Sequence, residues 1–137
     1  MLTLTKLEIA EHQLKRALLL FLNGSDYVSA ITLAGAAEEI LGKLREGCGE
    51  NHALGNFVSG CVGVGRAVFN EDWPPSLFAD MANHFRNGLK HITDGSPMTI
   101  PREAAVEILD RAIENYWALT GNELPEMLQF MRAEHDV

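Results

Sequence analysis

Apolar residues recur along this chain at intervals of three, four and seven, the spacing of one face of an α-helix. Near the start the stripe is Leu7, Leu14, Ala17, Leu18 and Phe21. Thr5 with Glu8 three positions later fits a capping box, so the first helix is predicted to begin there and to end at Asn23-Gly24. A second helix is predicted from Ser25 or Asp26 to about Glu46, with Tyr27, Ala30, Ile31, Ala34, Ala37, Leu41 and Leu44 on one stripe. Several of these are small, which lets another helix approach closely. A third, from about Ala53 to Val68, carries Gly55, Gly60, Gly63 and Gly65. Each glycine costs a helix roughly 1 kcal/mol relative to alanine, so tight packing or irregularity is expected there.

Trp73-Pro74-Pro75 is the stiff end of a loop, and a fourth helix is predicted after Ser76, to about Ile92, closed by Asp94-Gly95. Pro101 opens a fifth helix that runs to about Leu119 and is capped by Gly121. Leu124, Met127, Leu128 and Met131 mark a short amphipathic helix over about 124–135. Sustained period-2 alternation is absent. The expected fold is therefore all-α: one domain over residues 1–137, an antiparallel bundle of four to five helices.

Composition narrows the class. Apolar residues make up 47% and charged residues 22% of 137 positions, which suits a globular domain with a sizeable core. No apolar run approaches the roughly 20 residues of a membrane span, and Ala17–Leu22 follows Glu8 and Glu11 rather than a basic segment. A cytoplasmic protein with no membrane partner is expected. Cys48 and Cys61 are read as reduced thiols. The net charge is −8, and residues 101–137, with three basic and eight acidic groups, hold −5 of it. That balance disfavours generic nucleic-acid binding and leaves the middle third as the place for a local basic site.

The chemistry is densest in the segment Phe85-Arg86-Asn87-Gly88-Leu89-Lys90-His91. Four residues separate Arg86 from His91, and a polar residue follows the arginine. This segment, with Met81-Ala82 before it, resembles the motif of the HEPN superfamily (higher eukaryotes and prokaryotes nucleotide-binding domains), all-α bundles of about this length. The resemblance implies a metal-independent endoribonuclease or an RNA-binding relative of toxin–antitoxin or defence type. It also implies a homodimer whose two motifs face one cleft, with RNA and an inhibitor protein as candidate partners and no cofactor.

Under that reading His91 and Arg86 are the catalytic residues. An imidazole with a reference pKa near 6.5 can move a proton to or from a ribose oxygen. A guanidinium can hold the scissile phosphate. Asn87, Lys90 and His84 are candidate phosphate- or RNA-binding residues. Asn87 lies four residues before His91, and His84 one heptad before it. Gly88 leaves room for close approach by a second subunit or a phosphate. Thr93 stands where many toxin-type members carry tyrosine, so regulation by modification of that tyrosine does not carry over.

Glu38 is a candidate orienting carboxylate, pairing with Arg86 or a histidine, or else a rim group pairing with Lys43 or Arg45. A second arginine–histidine pair, Arg45 and His52, spans a glycine-rich turn and has Glu46 after the arginine; it is set aside as coincidence. The residues three before each histidine are Ile9, Gly49, Met81, Gly88 and Arg132, so the Glu-x-x-His pairs of a di-metal bundle are missing and no metal ligands are assigned. A non-catalytic helical dimer or interaction module, including an inactive HEPN relative, is the alternative.

Overall fold

The computed structural model describes residues 1–90 and 95–136. His91, Thr93 and the predicted end of the fourth helix lie outside the described residues. The described residues form six helices in the order α1 (Lys6–Gly24), α2 (Tyr27–Gly47), α3 (Ala53–Phe69), α4 (Pro75–Lys90), α5 (Arg102–Thr120) and α6 (Pro125–His135), with no strand among them. None of these helices is long and apolar enough to cross a membrane.

The helix boundaries follow from local chemistry. Thr5 accepts the backbone N–H of Glu8 at 3.1 Å, while Glu8 accepts that of Thr5 at 3.1 Å, completing the capping box. The Thr5 N–H, together with the threonine hydroxyl contact, holds the Glu8 carboxyl below its ordinary pKa. Asp26 caps α2 by accepting from the Ser29 N–H at 3.0 Å, which lowers its own pKa in the same way. Only Ser25 and Asp26 separate α1 from α2, so the two run antiparallel in close contact. α1 ends at Gly24, where Asn23-Gly24 places the stop; the left-handed cap residue is Ser25 (φ 48°), and its N–H donates to the Leu20 carbonyl. At the end of α5 the expected glycine does this, Gly121 at φ 66°.

The core lies between α1, α2, α5 and α6. α2 is central, with α1 on one side and α5 on the other. Leu14, Leu18, Ile31, Leu41, Leu109, Tyr116 and Phe130 are fully buried, and Ala30, Ala34 and Ala37 fill the seams where helices approach most closely. Phe130 of α6 stands edge-on to Phe21 with ring centres 5.3 Å apart. Burying a side chain of this size is worth roughly 1.5–3 kcal/mol.

The small-residue stripe of α2 is thus internal and cannot supply a surface for association. The exposed apolar side chains lie elsewhere. Helices α3 and α4 form a hairpin against the bundle, and Phe57, Val64, Val68, Phe69, Leu77 and Met81 of this hairpin face solvent. The helix α3 is regular despite its glycines. Gly65 is the site of tight packing: the Trp73 indole lies on it, and an added Cβ would come within 2.6 Å of Trp73 Cδ2. Gly60 and Gly63 face open space.

Tyr116 joins α5 to α1 by donating its hydroxyl to Glu11 Oε2 at 2.7 Å. Burial, reinforced by the hydrogen bond and the negative charge of Glu11, pushes its pKa up to about 12. The folded-state pKa lies above that of a free phenol, so the hydrogen bond contributes fully below pH 10 and is lost as pH rises through about 12. Ultraviolet titration should therefore show the Tyr116 phenolate appearing only as the pH approaches 12. Tyr116→Phe should lower stability by about 2 kcal/mol in urea denaturation at pH 7. Phenolate formation at pH 10 together with an unchanged denaturation midpoint would contradict this assignment.

Candidate functional site

Gly35, Glu38 and Gly42 sit at positions i, i+3 and i+7 of α2 and so form one stripe. Ile108, Arg111 and Asn115 repeat that spacing on α5. The two stripes meet under α4 and the start of α3. Glu38, with its side chain only 4% exposed, is bound by Arg111: Nε donates to Oε1 at 2.9 Å and Nη2 to Oε2 at 3.3 Å. The same Nη2 donates to the backbone carbonyl of Ala82 in α4 at 3.1 Å. Glu38 is therefore an internal carboxylate; pairing with Arg86, Lys43 or Arg45, or with a histidine, is replaced by a two-point bond to Arg111. Lys43 instead pairs with Glu39 at 3.5 Å on the exposed side of α2.

Arg86 lies one turn beyond Ala82. Its aliphatic stem crosses the bare Cα of Gly35, where an added Cβ would come within 2.8 Å of Arg86 Cγ and 3.2 Å of Ile108 Cδ1. The guanidinium makes no hydrogen bond or ion pair with the described residues. It opens into a cleft of about 200 Å³ lined by Glu38, Glu39, Gly42, Lys43, Glu46, His52, Leu54, Arg86 and Asn115.

Two lining residues are positioned with fixed polarity. His52 caps α3: its Nδ1 accepts the Gly55 N–H at 2.9 Å, and Nε2 lies 2.7 Å from Glu46 Oε1. The backbone donor requires a lone pair on Nδ1, so the ring proton sits on Nε2 and points at Glu46. Asn115 is 1% exposed, and its Oδ1 accepts from Ala53 N at 2.8 Å and from Arg45 Nη1 at 3.2 Å. Two donors on one atom identify it as the oxygen. Its Nδ2 is left in the cleft wall beside Gly42 and His52 with no hydrogen-bond partner among the described residues.

The carboxylates of this cleft already have partners: Glu38 has Arg111, Glu39 has Lys43 and Glu46 has His52. Arg86, the lining cation without a partner among the described residues, is a donor, and the unpaired Asn115 Nδ2 is a second donor buried behind the wall. Such a cleft is suited to a ligand rich in acceptor oxygens.

The remaining residues singled out by sequence are arranged differently. His84, Asn87 and Lys90 are exposed on α4 and do not line this cleft. The His84 ring lies against Phe85, centres 5.0 Å apart. Gly88 does not hold open a place for a second molecule, because Met98 of the same chain occupies it, with Sδ 2.7 Å from the position of an added Cβ. His91 lies outside the described residues.

Sequence reasoning missed Arg111, Asn115 and His52. The first two carried a signal, since both are polar residues in register with the buried Ile108. His52 was passed over with its Arg45 pairing, yet it lines the same cleft as Arg86. Arg45 is committed to Asn115, Glu50 and Glu114.

Breaking the internal ion pair from one side strands a buried charge. Glu38→Gln should cost about 3–5 kcal/mol in chemical denaturation. The double substitution of Glu38 and Arg111 by leucine removes both charges and should recover most of that loss. A single and a double variant equally destabilised would show that the pair does not behave as a coupled unit.

Comparison of the chain with protein-family models, with curated proteins and with solved structures returned no match.

Proposed function

We propose that this chain is a HEPN-like helical domain that cleaves RNA without a metal ion, with Arg86 holding the scissile phosphate and His91 moving the proton. The observation that carries this reading is Arg86, whose stem is seated on Gly35, whose guanidinium is uncommitted among the described residues, and which lines the cleft. The surroundings support it. Residues 81–90 hold His84, Arg86 and Lys90 and no carboxylate, so the chain is locally basic in a molecule of net charge −8.

The reaction needs no external nucleophile. The ribose 2′-oxygen attacks the adjacent phosphorus as its proton passes to a base. The bond from phosphorus to the 5′-oxygen breaks, and that oxygen takes up a proton. The products are a 2′,3′-cyclic phosphate and a 5′-hydroxyl. Arg86 stabilises charge on the non-bridging oxygens, and His91 serves one of the two proton transfers.

The exposed stripe of α4 favours a dimer as the working form. Leu77, Met81 and His84 lie on one face, and His91 follows His84 by a heptad. Two copies joined along this stripe would bury its apolar side chains between them, with each Arg86 on the opposite, Gly35-facing side of α4. The same face favours the second reading, a non-catalytic dimeric interaction module.

With single-stranded RNA at low salt, His91→Ala and Arg86→Ala should each lower cleavage by about 10²–10⁴-fold. Arg86→Lys should also fail, because an ammonium cannot reproduce a two-point guanidinium contact. Gly35→Ala is the sharper variant: its methyl displaces the Arg86 stem without touching the guanidinium, so activity should fall in a folded protein. Cleavage should persist in excess chelator. Activity unchanged in both the Arg86→Ala and His91→Ala variants would overturn the assigned site.

Association is tested separately. Light scattering at tens of micromolar should give a dimer mass, and Met81→Asp should return the monomer. A monomeric wild-type protein, or a dimer indifferent to Met81→Asp, would remove the α4 stripe as the interface.

A further inference from the structure

A groove between α5 and α6 plays no part in the RNA-cleaving reading. It exists because α6 spends its buried face on α1. Phe130 and Met127 are buried, and Phe130 meets Phe21 of α1. The far end of α6 is tied back to α5 by the Arg102–Glu134 ion pair and by His135 Nε2, 2.8 Å from Asp110 Oδ1. Between that tether and the turn at residues 121–124, the two helices enclose an unfilled trough of about 390 Å³.

The walls of the trough are apolar and its rim is acidic. Ile113 and Trp117 line the α5 side, and Met127, Leu128 and Met131 the α6 side. Trp117 is 56% exposed and Leu128 36%, a large apolar surface left in water. The charged lining groups are Asp110, Glu114, Glu123 and His135, and the histidine is engaged with Asp110.

We propose that this groove is the docking site for a basic amphipathic helix contributed by another protein. Asp110 to Trp117 spans roughly 10 Å of α5 at about 1.5 Å per residue, two turns. That length seats anchor side chains at i, i+4 and i+7 of a helix laid in the groove. Two methionines give one wall the adaptability that helix-binding grooves use. Charge selects the occupant. Lysines or arginines flanking the anchors would meet Glu123, which has no partner among the described residues, and the half-exposed Glu114, which Arg45 approaches only to 3.8 Å; one of them can stack on the Trp117 ring. A second copy of this chain is disfavoured here. Residues 101–137 carry −5, and a two-fold contact would set like charges against each other. The proposal stands whether or not the protein cleaves RNA.

The test uses the full chain carrying Trp73→Phe, which keeps a ring over Gly65 and leaves Trp117 as the sole indole. The probe is a 15-residue helical peptide with leucines on one face and lysines on the other; its control has glutamate for lysine. The lysine peptide should bind saturably, with a roughly micromolar Kd, and shift Trp117 emission to the blue. The glutamate peptide should do neither. Leu128→Asp separates docking from simple attraction to an acidic protein, because it adds a negative charge while removing a groove wall. Docking predicts at least about tenfold weaker binding in that variant. Unchanged or tighter binding, no blue shift, or no saturation would each overturn the proposal. So would a dimer that Leu128→Asp converts to monomer, which would assign the groove to a second copy.

Discussion

Glu38 and Arg111 meet where little water reaches either of them, and this contact joins α2, α5 and α4 around the Arg86 cleft. A buried carboxylate is tolerable only with a charged partner and with its lone pairs engaged. Arg111 supplies both through a two-point bond and extends a third to the Ala82 carbonyl. That third bond fixes more than charge balance. It sets the rotational phase of α4 against α2 and α5, and Arg86 follows Ala82 by one turn. The ion pair thereby determines which side of α4 faces Gly35 and where the Arg86 guanidinium emerges. Glu38 is linked to α4 through Arg111 and the Ala82 carbonyl, and makes no polar contact with Arg86.

The glycines of α2 complete this arrangement. At Gly35 the missing side chain is replaced by the stem of Arg86; at Gly42 it lets the buried amide of Asn115 and the flank of His52 lie against α2. An alanine at Gly42 would meet His52 Cβ at 3.5 Å and Asn115 Nδ2 at 3.6 Å, ordinary contact distances. Space alone therefore does not require glycine there, and an alanine would gain helix propensity.

How much of this was legible in the sequence differs sharply between fold and site. The helix boundaries were readable because their signals are local: Thr5 with Glu8, Pro101, Gly121 and the alanine–leucine stripes each act over a few residues. The stop of α1 at Gly24 falls where Asn23-Gly24 placed it, although the left-handed cap that follows is Ser25 rather than a glycine. The cleft was legible only at Arg86 and Glu38. Arg111 and Asn115 lie 73 and 62 residues from the partners they bind, Glu38 and Ala53, and periodicity carries no information about such pairings. Gly88 shows the converse error, since room within a helix says nothing of which segment fills it; here Met98 does.

Stability is also divided unevenly, and the division bears on function. The helices α1, α2, α5 and α6 hold almost the whole core, whereas Ala53 and Gly65 are the buried residues of α3 and α4 has none. Few buried contacts mean a low free energy of local opening, so the hairpin is expected to open more readily than the bundle. Yet the hairpin supplies Arg86 and His52 to the cleft. Covering its exposed Phe57, Val64, Leu77 and Met81 would add apolar burial to the element that most lacks it. Binding that selects the closed hairpin would strengthen the whole cleft, because Arg86 and His52 are placed correctly only when α3 and α4 lie against α2 and α5. Any association along α4 would thus be thermodynamically coupled to assembly of the cleft, even though the cleft itself lies within one chain.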